Sequence, residues 1–261
     1  MVIGETALSA RGVRMEYRDR ASDARLVAIE SMDLDVGDGE FVSLLGPSGC
    51  GKSTFLKIVN GLLLATAGEI RLRSNGKGRE DAMVFQDAAL FPWYSVLDNV
   101  AYGLVCAGVA RKDARRRAQP LIELVGLGGF ADKYPYQLSG GMQQRANLAR
   151  ALAVDSEILL MDEPFASLDA QTRELMQAEL LRIWNTAKKT VIFVTHQIEE
   201  AVYLSDRVIV MSARPGRILA DIRIDLPRPR ALEVKRRPEF ASYADQIWKL
   251  LATQAAPVGP G

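Results

Sequence analysis

Glu40-Phe-Val-Ser-Leu-Leu45 runs directly into Gly46-Pro47-Ser48-Gly49-Cys50-Gly51-Lys52-Ser53-Thr54, and this stretch decides the fold. The first six residues, apolar apart from Glu40 and Ser43, read as a buried strand. The next nine match G-x-x-x-x-G-K-[ST], a loop that wraps a nucleoside triphosphate. A triphosphate carries several negative charges and needs clustered donors. Glycines at 46, 49 and 51 let successive backbone N–H groups turn inward with no Cβ in the way. Lys52 to Asn60 then reads as a helix whose positive N-terminal end faces the same anion. Lys52 would reach the β- and γ-phosphates as a point charge, and the Ser53 hydroxyl would ligate Mg²⁺.

Working outward, Ala82–Phe85, Glu157–Met161 and Thr190–Thr195 are strand-sized apolar runs, and Arg207–Ser212 adds another. Helical patterns separate them, which predicts an α/β sheet covered on both faces. The first forty residues read instead as antiparallel strands, Thr6–Tyr17 and Ala28–Val36, joined by a charged turn from Arg18 to Arg25, with Glu69–Arg73 as a possible third member. Between Phe91 and Asp155 the strand signal vanishes. Val96–Ala107, Arg111–Leu124 and Gly140–Ala153 read as helices, the second broken or restarted at Pro120. Arg214 to Pro238, rich in Arg and Pro, reads as loop, and Phe240–Leu251 as an amphipathic helix with Phe240, Ala244, Ile247 and Leu251 on one face. The last ten residues, small and containing Pro and Gly, read as a disordered tail.

Composition narrows the function classes. The chain has 261 residues, is 48% hydrophobic and carries 33 basic against 32 acidic residues, so no global field attracts nucleic acid or an acidic membrane. Two cysteines, Cys50 in the loop and Cys106 in a helix, suggest neither a disulfide framework nor a metal quartet, and a reducing cytoplasm suits them. The N-terminus lacks the plan of a signal peptide. The apolar runs fall far short of the roughly 18 to 20 residues needed to span a bilayer.

Two further motifs carry chemistry. Ile158-Leu-Leu-Met-Asp162-Glu163-Pro164 is an apolar strand ending in two acids. A parallel strand delivers such residues to the sheet's carboxyl edge, where α/β folds bind ligands. There Asp162 would hold Mg²⁺ through water, and Glu163 would orient the attacking water or take its proton. Leu138-Ser139-Gly140-Gly141-Met142-Gln143-Gln144-Arg145 places a capping serine before a helix whose first residues are glycines, so its backbone can approach an anion closely.

This octapeptide together with the phosphate loop resembles the ATP-binding-cassette ATPases over residues 1 to about 225, with 226–261 as a C-terminal extension and a helical subdomain at about 90–155. The resemblance implies a P-loop NTPase core sheet with an N-terminal antiparallel β subdomain and an inserted helical subdomain. It implies that ATP, bound by Gly46 through Thr54, is closed over by Ser139, Gly140 and Gly141 of a second copy. Met142 stands where the family often has Gln, which leaves the contacting positions intact.

The resemblance also assigns smaller parts. His196, the only histidine, follows the strand Thr190–Thr195 where the family places a switch histidine on the γ-phosphate. Gln86 matches the glutamine that senses γ-phosphate and metal, and Ser167-Leu168-Asp169 matches the loop linking the two sites of a dimer. Tyr17 matches the aromatic that stacks on adenine, a half-buried strand tyrosine being the competing reading; Arg18 and Tyr102 are weaker candidates. Phe91-Pro92-Trp93-Tyr94 reads either as core of the helical insert or as a partly exposed groove, which in the family receives a short helix of a membrane subunit.

Only 49 residues follow Ser212, too few for the β-barrel regulatory domain of some import ATPases. Ser212-Ala-Arg-Pro-Gly-Arg-Ile218, Asp225-Leu-Pro-Arg-Pro-Arg230 and Phe85-Gln-Asp-Ala-Ala-Leu-Phe-Pro-Trp93 resemble the nitrate, sulfonate, taurine and bicarbonate importers. The implied protein is a homodimeric ATPase, peripheral on the cytoplasmic face of the inner membrane. It would work under two permease subunits fed by a periplasmic solute-binding protein, without nucleic acid. The basic tail is a solvated linker or a weak membrane-surface contact. A soluble cassette protein acting on ribosomes or DNA is the alternative, but this chain lacks the second cassette, coiled-coil insert or basic face usual there. A non-hydrolysing binding module would require loss of Lys52, Asp162, Glu163 or His196, all present.

Overall fold

A computed structural model describes residues 5–18, 25–73, 81–154 and 156–254. In chain order the elements are β1 (Thr6–Arg18), β2 (Arg25–Gly37), β3 (Phe41–Leu45), α1 (Lys52–Val59) and β4 (Ala67–Leu72), followed by β5 (Asp81–Val84). Then come α2 (Val96–Cys106), α3 (Arg111–Leu124), α4 (Gly140–Ala153), β6 (Ile158–Asp162) and α5 (Ala170–Ala187). The chain ends with β7 (Thr190–Thr195), α6 (Ile198–Leu204), β8 (Arg207–Met211), β9 (Gly216–Arg223) and α7 (Pro238–Ala252). The described residues divide into two compact units, one ending at Arg73 and resuming at Asn185, the other lying between positions 74 and 184.

In the first unit the strands follow the order β4-β1-β2-β9-β8-β3-β7. β1 pairs antiparallel with β2 and β4, as the alternating pattern of the first forty residues requires. β3 lies parallel between β7 and β8, and every residue from Phe41 to Leu45 is buried. A strand covered on both faces cannot alternate, which is why the sequence there runs almost wholly apolar. The α/β class and the antiparallel N-terminal strands are therefore those the sequence predicts.

Two expectations need correction. Arg214–Pro238 is not all loop, since β9 pairs antiparallel with β8 from Arg207↔Arg223 to Met211↔Ile218, and Leu232–Arg236 forms a 3₁₀ turn. Arginines at 217 and 223 and prolines at 215 and 227 mask the alternation of Ile218, Ala220, Ile222 and Ile224. α3 also runs unbroken through Pro120. Pro120 and Arg116 are both exposed, so the carbonyl that loses its N–H partner faces water. The charged turn at 19–24 and the tail from 255 onward lie outside the described residues.

The extension is tied to the first unit by two arginines. Arg230, only 6% exposed, donates to the carbonyls of Val202, Tyr203, Ser205, Ile224 and Leu226 at 2.8–3.3 Å. Three of these are carbonyls at the C-terminal end of α6, where a cation complements the helix dipole. Burial lowers the guanidinium to about 10, so it remains charged at neutral pH. Arg228 donates to Leu204 O at 2.6 Å and to Asp206 Oδ1 at 2.8 Å, while Asp206 Oδ2 accepts from Phe41 N–H at 3.0 Å. On α7, Phe240 and Ile247 of the predicted apolar face are buried, while Ala244 and Leu251 are half-buried.

Replacing Arg230 by Met would leave five buried carbonyls short of a donor. The expected loss is about 3 kcal/mol in urea unfolding of the full chain; a loss under about 1 kcal/mol would show that these bonds carry little of the fold.

Candidate functional site

The phosphate loop leaves β3 at Gly46 and enters α1 at Lys52. Gly49 has φ +76° and Gly51 φ +98°, left-handed conformations in which a side chain is strained. Packing adds to that constraint. A Cβ on Gly51 would lie 2.9 Å from Ala28 O and 2.8 Å from Ile29 Cγ1, and one on Gly46 would lie 2.9 Å from Met211 O. The loop is thus braced by β2 and β8, and these contacts fix its path.

Lys52 is buried, and its ammonium donates to Gly46 O at 2.8 Å and Pro47 O at 3.0 Å, with Cys50 Sγ at 3.7 Å. The charge is therefore anchored inside the curve of the loop rather than out in solvent. Ser48 and Gly49 are exposed, Ser53 and Thr54 half-buried. Tyr17 at the end of β1 has its hydroxyl 3.4 Å from Thr54 Oγ1 and is 38% exposed, which leaves ring surface at the loop's edge for a base to cover. His196, just past β7, is exposed and lines one pocket with Gly46, Pro47, Ala213, Leu251 and Gln254. The first unit thus brings Tyr17, the loop and His196 to one end of its sheet.

In the second unit β5 and β6 are parallel, Val84 opposite Met161, so Gln86 and the Asp162-Glu163 pair leave the same carboxyl edge. Asp162 is buried, whereas Glu163 is half-buried with φ +46°. A left-handed glutamate stores strain of about 1–3 kcal/mol, a feature that concentrates at functional positions. Among the described residues no group of three His, Cys, Asp or Glu is arranged to hold a metal by itself. Ser53 in the first unit and Asp162 in the second each offer a hard oxygen donor of the kind Mg²⁺ takes, a cation that keeps several waters and takes further ligands from substrate phosphates.

Ser139 caps α4, its hydroxyl accepting from Met142 N–H at 3.3 Å, and Ser139 and Gly140 are exposed. A Cβ on Gly141 would come within 3.1 Å of Leu168, so the helix start packs on the 167–169 loop. Asp169 Oδ1 accepts from Thr172 N–H at 2.9 Å, and this bond holds the carboxyl below its usual range. Ser139, Gly141 and Asp169 therefore share one edge of the second unit.

One interaction escaped the sequence reading. Gln144 Nε2 and Asn147 Nδ2 of α4, both buried, each donate to Phe85 O at 3.1 Å, the carbonyl just before Gln86. One turn on, Arg150 donates to Ala89 O at 2.8 Å, Ala88 O at 3.3 Å and Asn147 Oδ1 at 2.8 Å, and lies 5.9 Å over the Phe91 ring. α4 thus holds the whole 85–91 connection. Polar side chains at 144, 147 and 150, spaced for one helix face, were the available signal.

Beyond it, Phe91 packs against Tyr102 at 4.6 Å and against Trp93 and Tyr94 at 5.7 Å. Asn99, fully buried, ties the turn through Phe91 N–H, Phe91 O, Tyr94 O and Ser95 O. Trp93 stays 66% exposed, which favours an open aromatic surface over the core reading. Tyr102 belongs to this cluster, its ring packed against Phe91 and Tyr94.

A braced triphosphate loop, a strand-end acid pair and a serine-capped glycine helix define a nucleotide-hydrolysing cassette. The ABC transporter family pattern matches residues 29–166, and the chain belongs to that family as an ATP-binding, ATP-hydrolysing subunit. It is 51% identical to an uncharacterised ABC transporter ATP-binding protein of Methanocaldococcus jannaschii over 230 residues, covering 87% of this chain and 85% of that one. It is 45% identical to the taurine import ATP-binding protein TauB of Roseobacter denitrificans over 253 residues, covering 94% of each. Among solved structures it resembles the dimeric ATP-binding cassette MJ0796 in a post-hydrolysis state bound to ADP and Pi. That match has a TM-score of 0.76 and 30% identity, and it covers 84% of this chain and all of that one.

Asn147→Leu keeps the side chain's branched shape but leaves Phe85 O with one donor fewer and Arg150 with one acceptor fewer. A loss of about 1–3 kcal/mol in chemical denaturation is expected; wild-type stability would mean these bonds do not hold the 85–91 connection.

Proposed function

We propose that this chain powers the import of a small solute of the taurine, sulfonate or nitrate kind. It would work as a homodimer beneath two membrane permease subunits that an external solute-binding protein supplies. The observation that carries this reading is that one chain presents two anion-ready backbone features, the loop before α1 and the capped start of α4. The first would hold the triphosphate of its own ATP, and the second would close on the ATP of the other copy. The 94% mutual coverage with a taurine import ATP-binding protein supports the direction of transport and the solute class. No helix among the described residues is long and apolar enough to cross a membrane, which suits a peripheral subunit on the cytoplasmic face.

In this reading Gly46 through Thr54 bind the phosphates, Lys52 neutralises the β- and γ-oxygens, and Tyr17 stacks on the base. Ser53, Gln86 and Asp162 would hold Mg²⁺, which when bound offsets the phosphate charge and helps orient the γ-phosphate. Glu163 accepts a proton from the attacking water, and His196 donates a hydrogen bond to the γ-phosphate as charge builds on its oxygens. Asp169 relates one copy's α4 to the other's reaction. Residues 1–225 form the cassette, and 226–261 an extension outside the chemistry. Closure of the dimer would reach the permease through α4, the 85–91 connection and the exposed aromatic surface at Trp93.

Glu163→Gln should still bind ATP yet lose on the order of 10²- to 10⁴-fold in phosphate release. In that variant excess Mg-ATP should convert monomer to dimer in light scattering; full turnover would remove Glu163 from its role. Trp93→Glu should weaken co-purification with the permease while leaving ATP binding intact, and an undiminished complex would count against the aromatic surface.

A further inference from the structure

The turn joining β8 to β9 is built more tightly than a solvent-exposed connection needs. Ser212, 3% exposed, closes it with three bonds, its N–H to Arg217 O at 2.9 Å, its hydroxyl to Pro215 O at 2.9 Å, and Arg217 N–H to its Oγ at 3.1 Å. The turn then meets the phosphate loop at two consecutive residues. A Cβ on Gly216 would stand 2.0 Å from Cys50 O, so only glycine lets the two backbones lie this close. Beside it Arg214 Nε donates to Gly49 O at 3.1 Å, and Arg214 Nη2 lies 2.8 Å from where a Gly49 Cβ would be.

That contact constrains a specific donor. The peptide joining Gly49 to Cys50 is planar and trans, so its C=O and N–H point in opposite directions. With Gly49 O held by Arg214, Cys50 N–H must point the other way, and it does so, toward Pro47 O at 3.4 Å on the inner side of the loop. Gly49 itself would otherwise be the loop's freest residue, exposed and able to flip between left- and right-handed conformations. The guanidinium also places a permanent positive charge on the outer rim, with Lys52 on the inner side.

We propose that Arg214 is a positioning residue for nucleotide binding, a latch that fixes the Gly49–Cys50 peptide so that its N–H faces the phosphates. The proposal rests on the loop's being the ATP site. It gives the Ser212–Ile218 segment a part in the chemistry, where the sequence reading had only a marker of solute group.

The test is titration of the full chain with Mg-ADP, which engages the loop without turnover, alongside thermal unfolding of the nucleotide-free protein and steady-state ATP hydrolysis. Arg214→Ala should weaken Mg-ADP binding about 5- to 20-fold, as loss of one charge-assisted bond does. The loss in kcat/KM should fall on KM more than on kcat, and the unfolding midpoint should move little, because Arg214 is exposed. Arg214→Lys restores the charge without the planar Nε donor and should recover only part of the affinity. It also carries the test by itself if the alanine variant does not fold. Wild-type affinity in the variants would overturn the latch, and so would a loss of affinity that simply tracks a lowered unfolding midpoint. Lys52→Ala separates the two levels of inference. Intact Mg-ADP binding there would sink the loop as nucleotide site, whereas binding lost with Lys52 and kept without Arg214 would sink the latch alone.

Discussion

Everything at the phosphate loop depends on backbone packed against backbone with no side chain between. Met211 O on β8, Ala28 O on β2 and the Cys50 carbonyl each stand within 3 Å of where a Cβ would project from Gly46, Gly51 or Gly216. A loop clamped at that distance cannot relax to follow a ligand, so its N–H groups are set in place before any anion arrives. The free energy of arranging them is spent during folding instead of binding. The surrounding sheet serves the same end. β3 delivers the loop, β7 delivers His196 beside it, and β8 and β9 supply the turn that braces its far side.

Polar groups set the second unit in the same way that glycines set the first. α4 begins with Ser139 and the glycines at an exposed edge, and its next turns send Gln144, Asn147 and Arg150 to the backbone at Phe85, Ala88 and Ala89. A rigid helix therefore links an anion-ready end to the connection that carries Gln86 and then Phe91. Burial lowers the Arg150 guanidinium from its ordinary value, and three oxygen acceptors plus the Phe91 ring compensate for that desolvation.

The sequence made the first layer of this legible and hid the second. Motif residues sit where strand ends and helix starts put them, so Lys52, Asp162, Glu163 and Ser139 could be located from motifs at the ends of apolar runs, and His196 from the family resemblance. Bonds to backbone carbonyls leave no such trace. Nothing in Gln144 or Asn147 names Phe85 as the acceptor, and nothing in Arg214 names Gly49, since the partner is a main-chain atom common to every residue. The missed strand β9 has a related cause. Its arginines face solvent at alternate positions, and Arg207 is committed across strands to Asp221 and Glu40, so the charge that suggested loop belongs to the sheet's exposed face.

The extension follows from the same economy of carbonyls. Helix α6 starts two residues after His196 and ends where Arg230 and Arg228 gather the free carbonyls of residues 202 to 205. A helix of seven residues has few internal bonds and little stability of its own. With its far end held by two guanidiniums and its near end joined to β7, the helix resists fraying, and the turn holding His196 inherits that rigidity. Asp206 closes the arrangement, accepting from Arg228 on one oxygen and from the first residue of β3 on the other. Of the arginines that made residues 214 to 238 look like linker, Arg214 is thus committed to the phosphate loop and Arg228 and Arg230 to the end of α6, the helix that follows His196.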